Sequence, residues 1–149
     1  MTSFPLISIP NVVTAQGAWN ENNLSTFPLI DFSAVVVMQS AFQNNNFVTA
    51  PTVDLSSAVD VRAMLEGNNL TTIPDYNTAS VQDMSLLFQN NGSFDADLTS
   101  LELNSVTTMA QIMLNTFHSQ AIVTGHPPDR DWETANSYLE HLQYCSQVL

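Results

Sequence analysis

A 23-residue register runs through most of the chain. Trp19, Phe42, Leu65 and Phe88 stand 23 apart, and so do Pro5, Pro28, Pro51 and Pro74, and Asn22, Asn45, Asn68 and Asn91. A fixed period of this length marks stacked repeats, in which each unit hides its apolar face only against its neighbours. The chain is therefore expected to present surfaces from one repeat scaffold, and its 149 residues fit a single domain.

The second unit shows how the register is filled. Phe27, Ile30 and Phe32 are spaced as in a leucine-rich repeat, with Ile30 and Phe32 inward and Leu29, Asp31 and Ser33 outward on an alternating strand. Pro28 falls just before the strand, where its missing N–H does least harm. Val35, Met38, Ala41 and Phe42 then follow a helical spacing. The β-branched run Val35 to Val37 predicts a short helix or a 3₁₀ turn there. The corner Gln43 to Asn46 turns the chain back. The stacked asparagines of that corner are expected to satisfy backbone groups that each coil leaves unpaired.

Five units follow this plan, the last at a period of 25 because the corner from Gln89 to Asp97 carries two extra residues. The predicted class is α/β: a leucine-rich-repeat solenoid of about five 23–25-residue units over residues 1–117, with a parallel sheet on one face and short helices or turns on the other. Residues 118–149 are expected to form a loop at Gly125 to Asp129 and a C-terminal capping helix. In that helix Trp132, Ala135, Leu139, Leu142 and Cys145 make the apolar stripe.

Two segments carry a family resemblance. Thr78-Ala-Ser-Val-Gln-Asp-Met-Ser-Leu-Leu-Phe88 resembles the core of BspA-like leucine-rich repeats, and Asn104 to Met113 looks like the same block. Leu24-Ser-Thr-Phe-Pro-Leu-Ile-Asp-Phe-Ser33 resembles the version found in proteins of tailed, especially marine, bacteriophages. The resemblance covers about residues 2–117. It implies the repeat fold, and it implies either an adhesin or a virion component. Bacterial members usually carry Cys where Asn22, Asn45, Asn68 and Asn91 stand here, and they are commonly exported. This departure favours the virion reading.

Charge narrows the partners. Fourteen acids face two basic residues, Arg62 and Arg130, for a net charge of −12. Such a field repels DNA, RNA and anionic membranes, which leaves cationic surfaces, divalent cations, sugars or other proteins. The segment from Met1 to Pro5 reads as neither a secretory signal nor a lipoprotein leader, and no apolar run approaches membrane-spanning length. The lone Cys145 excludes an internal disulfide and reads as a small core residue.

The candidate binding surface is the outward side of the expected sheet. Ser8, Asp31, Asp54, Asn77 and Glu102 should align in one row, and Leu29, Thr52, Asp75 and Ser100 in the next, about 4.8 Å apart per strand. Acids this close motivate a basic partner or Ca²⁺, and the competing explanation is a solvated face that resists aggregation. Phe4 already occupies the first inward column, so the edge formed by Phe4, Leu6, Ser8 and Pro10 is expected to dock on another subunit. Alternatively, Pro5 and Pro10 blunt that edge by themselves.

Catalysis finds no footing in the sequence. His118, His126 and His141 lack metal-ligand spacing, and none forms an obvious triad with Cys145. Asp95 and Asp97 would need a cleft to act as a glycosidase pair. No resident cofactor is implied. The expected function is a non-enzymatic protein of a tailed-phage virion, made in the host cytoplasm and placed on the tail or capsid exterior. There it would contact the host surface or join virion subunits. A bacterial cell-surface adhesion module is the alternative, and a purely architectural capsid cement protein is a third.

Overall fold

The computed structural model describes residues 7–94, 96, 98 and 101–116. The expected α/β leucine-rich-repeat solenoid is overturned. No helix occurs among the described residues. The parallel sheet expected across one face shrinks to β1 (Ile7–Ser8) and β2 (Ile30–Asp31), paired with Ile7 opposite Ile30 and Ser8 opposite Asp31. The loop and capping helix expected over residues 118–149 lie outside the described residues.

Turns replace the helices, and the hydrogen bonds show why. The N–H groups of Val35, Ala41 and Gln43 donate to the carbonyls of Phe32, Met38 and Ser40 at 2.8, 3.0 and 3.3 Å. Each of these closes a β-turn three residues back instead of a helical turn four residues back. The intervening N–H groups of Met38, Ser40 and Phe42 leave the unit altogether, reaching the carbonyls of Asp60, Arg62 and Met64 at 2.8, 2.9 and 3.0 Å. A backbone donor used between units cannot also close a helix.

Left-handed residues fix this path. Gly17, Ser40, Ala63, Leu86 and Gln111 all have positive φ, between 53° and 62°. Four positions later Glu21, Asn44, Gly67, Asn90 and Asn115 do the same, between 53° and 66°. Within the turn Met38 to Ala41 the positive φ falls at Ser40, the third position, as a type II turn requires. Each non-glycine residue held this way costs roughly 1–2 kcal/mol, which the bonds between units offset.

The 23-residue register thus survives as a stack of turns. Isolated parallel pairings link Thr14 to Val37, Val37 to Asp60, Asp60 to Asp83 and Asp83 to Thr108, and a further one links Thr49 to Thr72. The carbonyl of Val36 receives the N–H groups of both Val59 and Asp60, at 2.8 and 3.3 Å, and Val13 and Val59 serve the following units in the same way. Between these backbone seams lies one apolar core.

Phe32, Val35, Met38, Ala41, Phe42, Leu65, Met84 and Phe88 are fully enclosed. Each of these side chains larger than alanine contributes about 1.5–3 kcal/mol of burial. Trp19 stacks on Phe42 with centroids 5.4 Å apart, and Phe27 and Phe32 meet Trp19 edge-on. The long corner before the fifth unit places Phe94 in the core, stacked on Phe88 at 4.7 Å. Thr78 interrupts an otherwise apolar inward column. Its hydroxyl donates to the carbonyl of Glu102 at 2.9 Å and accepts from the Glu102 N–H at 2.8 Å, and so ties the enlarged unit to the one before it.

The corner asparagines do the work expected of them. Asn45, Asn68 and Asn91 are buried. Nδ2 of Asn68 donates to the carbonyls of Phe42, Leu65 and Glu66 at 3.0, 3.0 and 3.2 Å, while its Oδ1 accepts from the N–H of Phe47 at 3.2 Å. Asn45 and Asn91 repeat the pattern one unit to either side. Asn22, at the first unit, is exposed; its Nδ2 donates to the carbonyl of Asn20 at 2.8 Å and its N–H to Asn45 Oδ1 at 3.2 Å.

Candidate interaction surface

The outward positions recur at the surface. Leu29, Thr52, Asp54, Asp75, Asn77 and Glu102 are exposed and Asp31 is half-buried, while Ser100 lies outside the described residues. Because β1 and β2 are the only pair of strands among the described residues, no continuous sheet there sets the spacing of these rows. What holds Asp31, Asp54 and Asn77 in place is local. Asp31 Oδ1 accepts the N–H of Ser33 at 3.0 Å, Asp54 Oδ1 that of Ser56 at 2.9 Å, and Asn77 Oδ1 that of Ala79 at 3.2 Å.

These are Asx turns, in which the side chain replaces a backbone acceptor and opens the following β-turn. The Ser33 hydroxyl and then its N–H hold the Asp31 carboxyl below the usual carboxylate range. The Oδ1 atoms of Asp31, Asp54 and Asn77 are therefore committed to the scaffold.

A second pair of acids went unnoticed in the sequence. Asp60 and Asp83 stand opposite each other in a parallel pairing and are half-buried. Their Oδ1 atoms accept the N–H groups of Arg62 and Ser85 at 2.9 and 2.8 Å. Arg62 adds a charge contact to Asp60 Oδ2 at 3.9 Å. The signal was legible in principle, because Asp-x-Arg and Asp-x-Ser repeat one register step apart at the position where Thr14 similarly caps Gln16. A helical reading of the segment hid it.

The corner carries a ladder of side chains. Gln43 Nε2 donates to Glu66 Oε2 at 2.7 Å, Asn90 Nδ2 to Glu66 Oε1 at 3.3 Å and Asn115 Nδ2 to Asn90 Oδ1 at 2.9 Å. Asn46 and Asn23 join in the same way at 3.0 Å. Among the described residues the exposed large apolar side chains are Val12, Val13, Leu29 and Val48. Of the expected docking edge, Phe4 and Leu6 lie outside the described residues. Ser8 takes part in β1, and Pro10 is exposed in the turn closed by the Val12 N–H on the carbonyl of Ile9 at 3.0 Å.

Among the described residues no three His, Cys, Asp or Glu side chains gather as a metal site. The Tyr76 phenol donates to the carbonyl of Pro51 at 2.7 Å, and burial pushes its pKa far above the usual range, so it stays protonated as part of the core. The Ser85 hydroxyl is buried without a hydrogen-bond partner among the described residues. No helix among the described residues is long and apolar enough to cross a membrane.

Residues 36–136 match the protein family described as "Mycoplasma protein of unknown function, DUF285". No curated protein and no solved structure matches the chain.

Proposed function

The chain belongs to the DUF285 family, whose description assigns no activity, and from that footing we propose that it is a non-catalytic binding and attachment protein of a tailed-phage virion. The observation that carries the binding role is the division of each unit into a sealed interior and a repeated outward face. Phe42, Leu65 and Phe88 are fully enclosed, while Thr52, Asp54, Asp75, Asn77 and Glu102 return to solvent at corresponding places in successive units. Polar side chains that a catalyst would need free are instead bonded to the scaffold's own backbone. An acidic, repetitive face of this kind suits a basic or amide-rich protein surface, through contacts spread over several units.

The phage assignment rests on the resemblance of Leu24 to Ser33 and on asparagine at the corner positions. In this reading the protein sits on the tail or capsid exterior and either meets the host envelope or joins virion subunits. A bacterial cell-surface module is the second reading, favoured by the family's naming for Mycoplasma.

Mass spectrometry of gradient-purified particles against washed cell envelopes separates the two. The virion reading expects the protein in particles at a fixed ratio to the major capsid protein, and recovery only from envelopes would overturn it. Saturable binding of the purified protein to intact host cells then distinguishes adsorption from subunit attachment.

A further inference from the structure

The first unit ends the described stack on a face that its successors all keep covered. Val12 is 37% exposed, whereas its register equivalents Val35, Ala58 and Val81 are each 0%. Ala18 is exposed where Ala41 and Met64 are enclosed, and Trp19 is half-buried where Phe42, Leu65 and Phe88 are enclosed. Since Trp19 lies within 13° of parallel to Phe42 and stacks on it, the opposite side of the indole faces away from the second unit. Val13, next to Val12 in sequence, is 57% exposed.

The backbone of this face has a polarity. In the second unit the carbonyls of Val37, Gln39, Ala41 and Gln43 accept the N–H groups of Ala15, Gly17, Trp19 and Glu21 at 2.8–2.9 Å. The register equivalents in the first unit are the carbonyls of Thr14, Gln16, Ala18 and Asn20. Among the described residues those of Thr14, Gln16 and Ala18 accept no hydrogen bond, and that of Asn20 is met by Asn22 Nδ2. The ledge is thus a row of acceptors at two-residue spacing, bordered by exposed Glu21 and with no Lys or Arg in the first unit. A partner that brings acceptors of its own, such as a second first-unit face, cannot bond to it.

We infer that this ledge takes an extended, basic segment of another protein. The segment's alternate N–H groups donate to the carbonyls of Thr14, Gln16, Ala18 and Asn20, and its aliphatic side chains cover Val12, Val13 and Trp19. Charge selects this occupant over a second copy, because the first unit carries Glu21 with no Lys or Arg to balance it and a copy brings a net charge of −12. The inference rests on the binding-protein reading and names where and how such a partner attaches.

The test uses the full chain and a capped peptide of alternating lysine and valine as the probe, followed by amide chemical shifts. Shifts confined to residues 12–21, at least about tenfold weaker binding when alternate peptide amides are N-methylated, and a comparable loss with Val13→Lys are expected; a tenfold loss corresponds to about 1.4 kcal/mol. A glutamate–valine peptide should not bind. Equal affinity for the N-methylated peptide, shifts at Asp54 and Asp75 instead, or no binding at all would overturn the inference.

Two further results would overturn it by naming another occupant. One is self-association in sedimentation that Val13→Lys abolishes, which would point to a second copy. The other is contacts from residues 1–6 to residues 12–21 in the free protein, which would make the cover intramolecular. Neither bears on whether the protein is found in particles, so the two readings fail separately.

Discussion

At Asn68 one carboxamide bonds three carbonyls, each of which also accepts from a second donor, and the Phe47 N–H, which has no other acceptor among the described residues, all within 3.2 Å. Each buried backbone group left unsatisfied costs about 1–3 kcal/mol. Asn68→Leu keeps the branched shape but removes every bond and leaves the Phe47 N–H without a partner, so urea unfolding should show a loss of about 2 kcal/mol. Asn22→Leu, in the same column but exposed, should stay within about 1 kcal/mol. Equal losses would mean that the column matters for shape and not for hydrogen bonding. Asp31 makes the complementary case for charge. Its folded pKa is lowered by the Ser33 bonds, so it adds stability above its unfolded pKa, and that contribution is lost as pH falls through the folded value. Asp31→Asn keeps an acceptor for the Ser33 N–H but cannot titrate. Relative to wild type, its melting temperature should fall less steeply below about pH 4, and parallel acid limbs would count against this role for Asp31. The asparagine column was legible in the sequence because a polar residue at a strict register has few structural explanations. The Asx role of Asp31 and Asp54 was not, because an outward acid followed two residues later by serine also describes an ordinary solvated strand.

At the level of the element, the helix expected from Val35 to Phe42 and the turns found there use the same apolar positions. Spacings of three and four residues bring side chains to one side in a helix, and they do so equally in consecutive turns closed three residues back. Glycine would have flagged the left-handed positions, yet that column reads Gly17, Ser40, Ala63, Leu86 and Gln111, so four of its five members hide the turn. Proline separates the two structures. Gln39 is the second residue of the turn Met38 to Ala41, where proline is favoured, and its N–H has no acceptor among the described residues. Gln39→Pro should change stability by under about 1 kcal/mol, whereas a helix interior would lose about 3 kcal/mol. Ser40, at φ 54°, gives the converse measurement. Ser40→Gly relieves roughly 1–2 kcal/mol of left-handed strain against the 0.5–1 kcal/mol entropy of glycine, so a small gain in the urea midpoint is expected. A loss of more than about 1 kcal/mol would place Ser40 outside the left-handed region.

At the scale of the whole molecule, the 23-residue register dictated which residues are inside, because a period shared by Phe42, Leu65 and Phe88 can only bury them against one another. It said nothing about how the backbone travels between them, since turns and helices place the same columns on one axis. The charge follows the same division. Fourteen acids are carried by a scaffold with two basic residues, and Arg62 with Asp60 forms the only ion pair among the described residues. Such a chain repels itself, and added salt should stabilise it by screening. Raising NaCl from low ionic strength to about 0.15 M, where the Debye length falls to about 8 Å, is expected to raise the melting temperature at pH 7 by several degrees. Calcium tests whether the acidic rows do more than repel. Asp31, Asp54, Asp60 and Asp83 each have an oxygen already engaged by a backbone N–H, which leaves too few free oxygens at any one place for the six to eight that Ca²⁺ takes. At matched ionic strength, Ca²⁺ and Na⁺ should therefore give the same melting temperature. A further rise that saturates with Ca²⁺ would show that the outward acids converge on an ion, and the rows would then be a metal site and not a face for a basic partner.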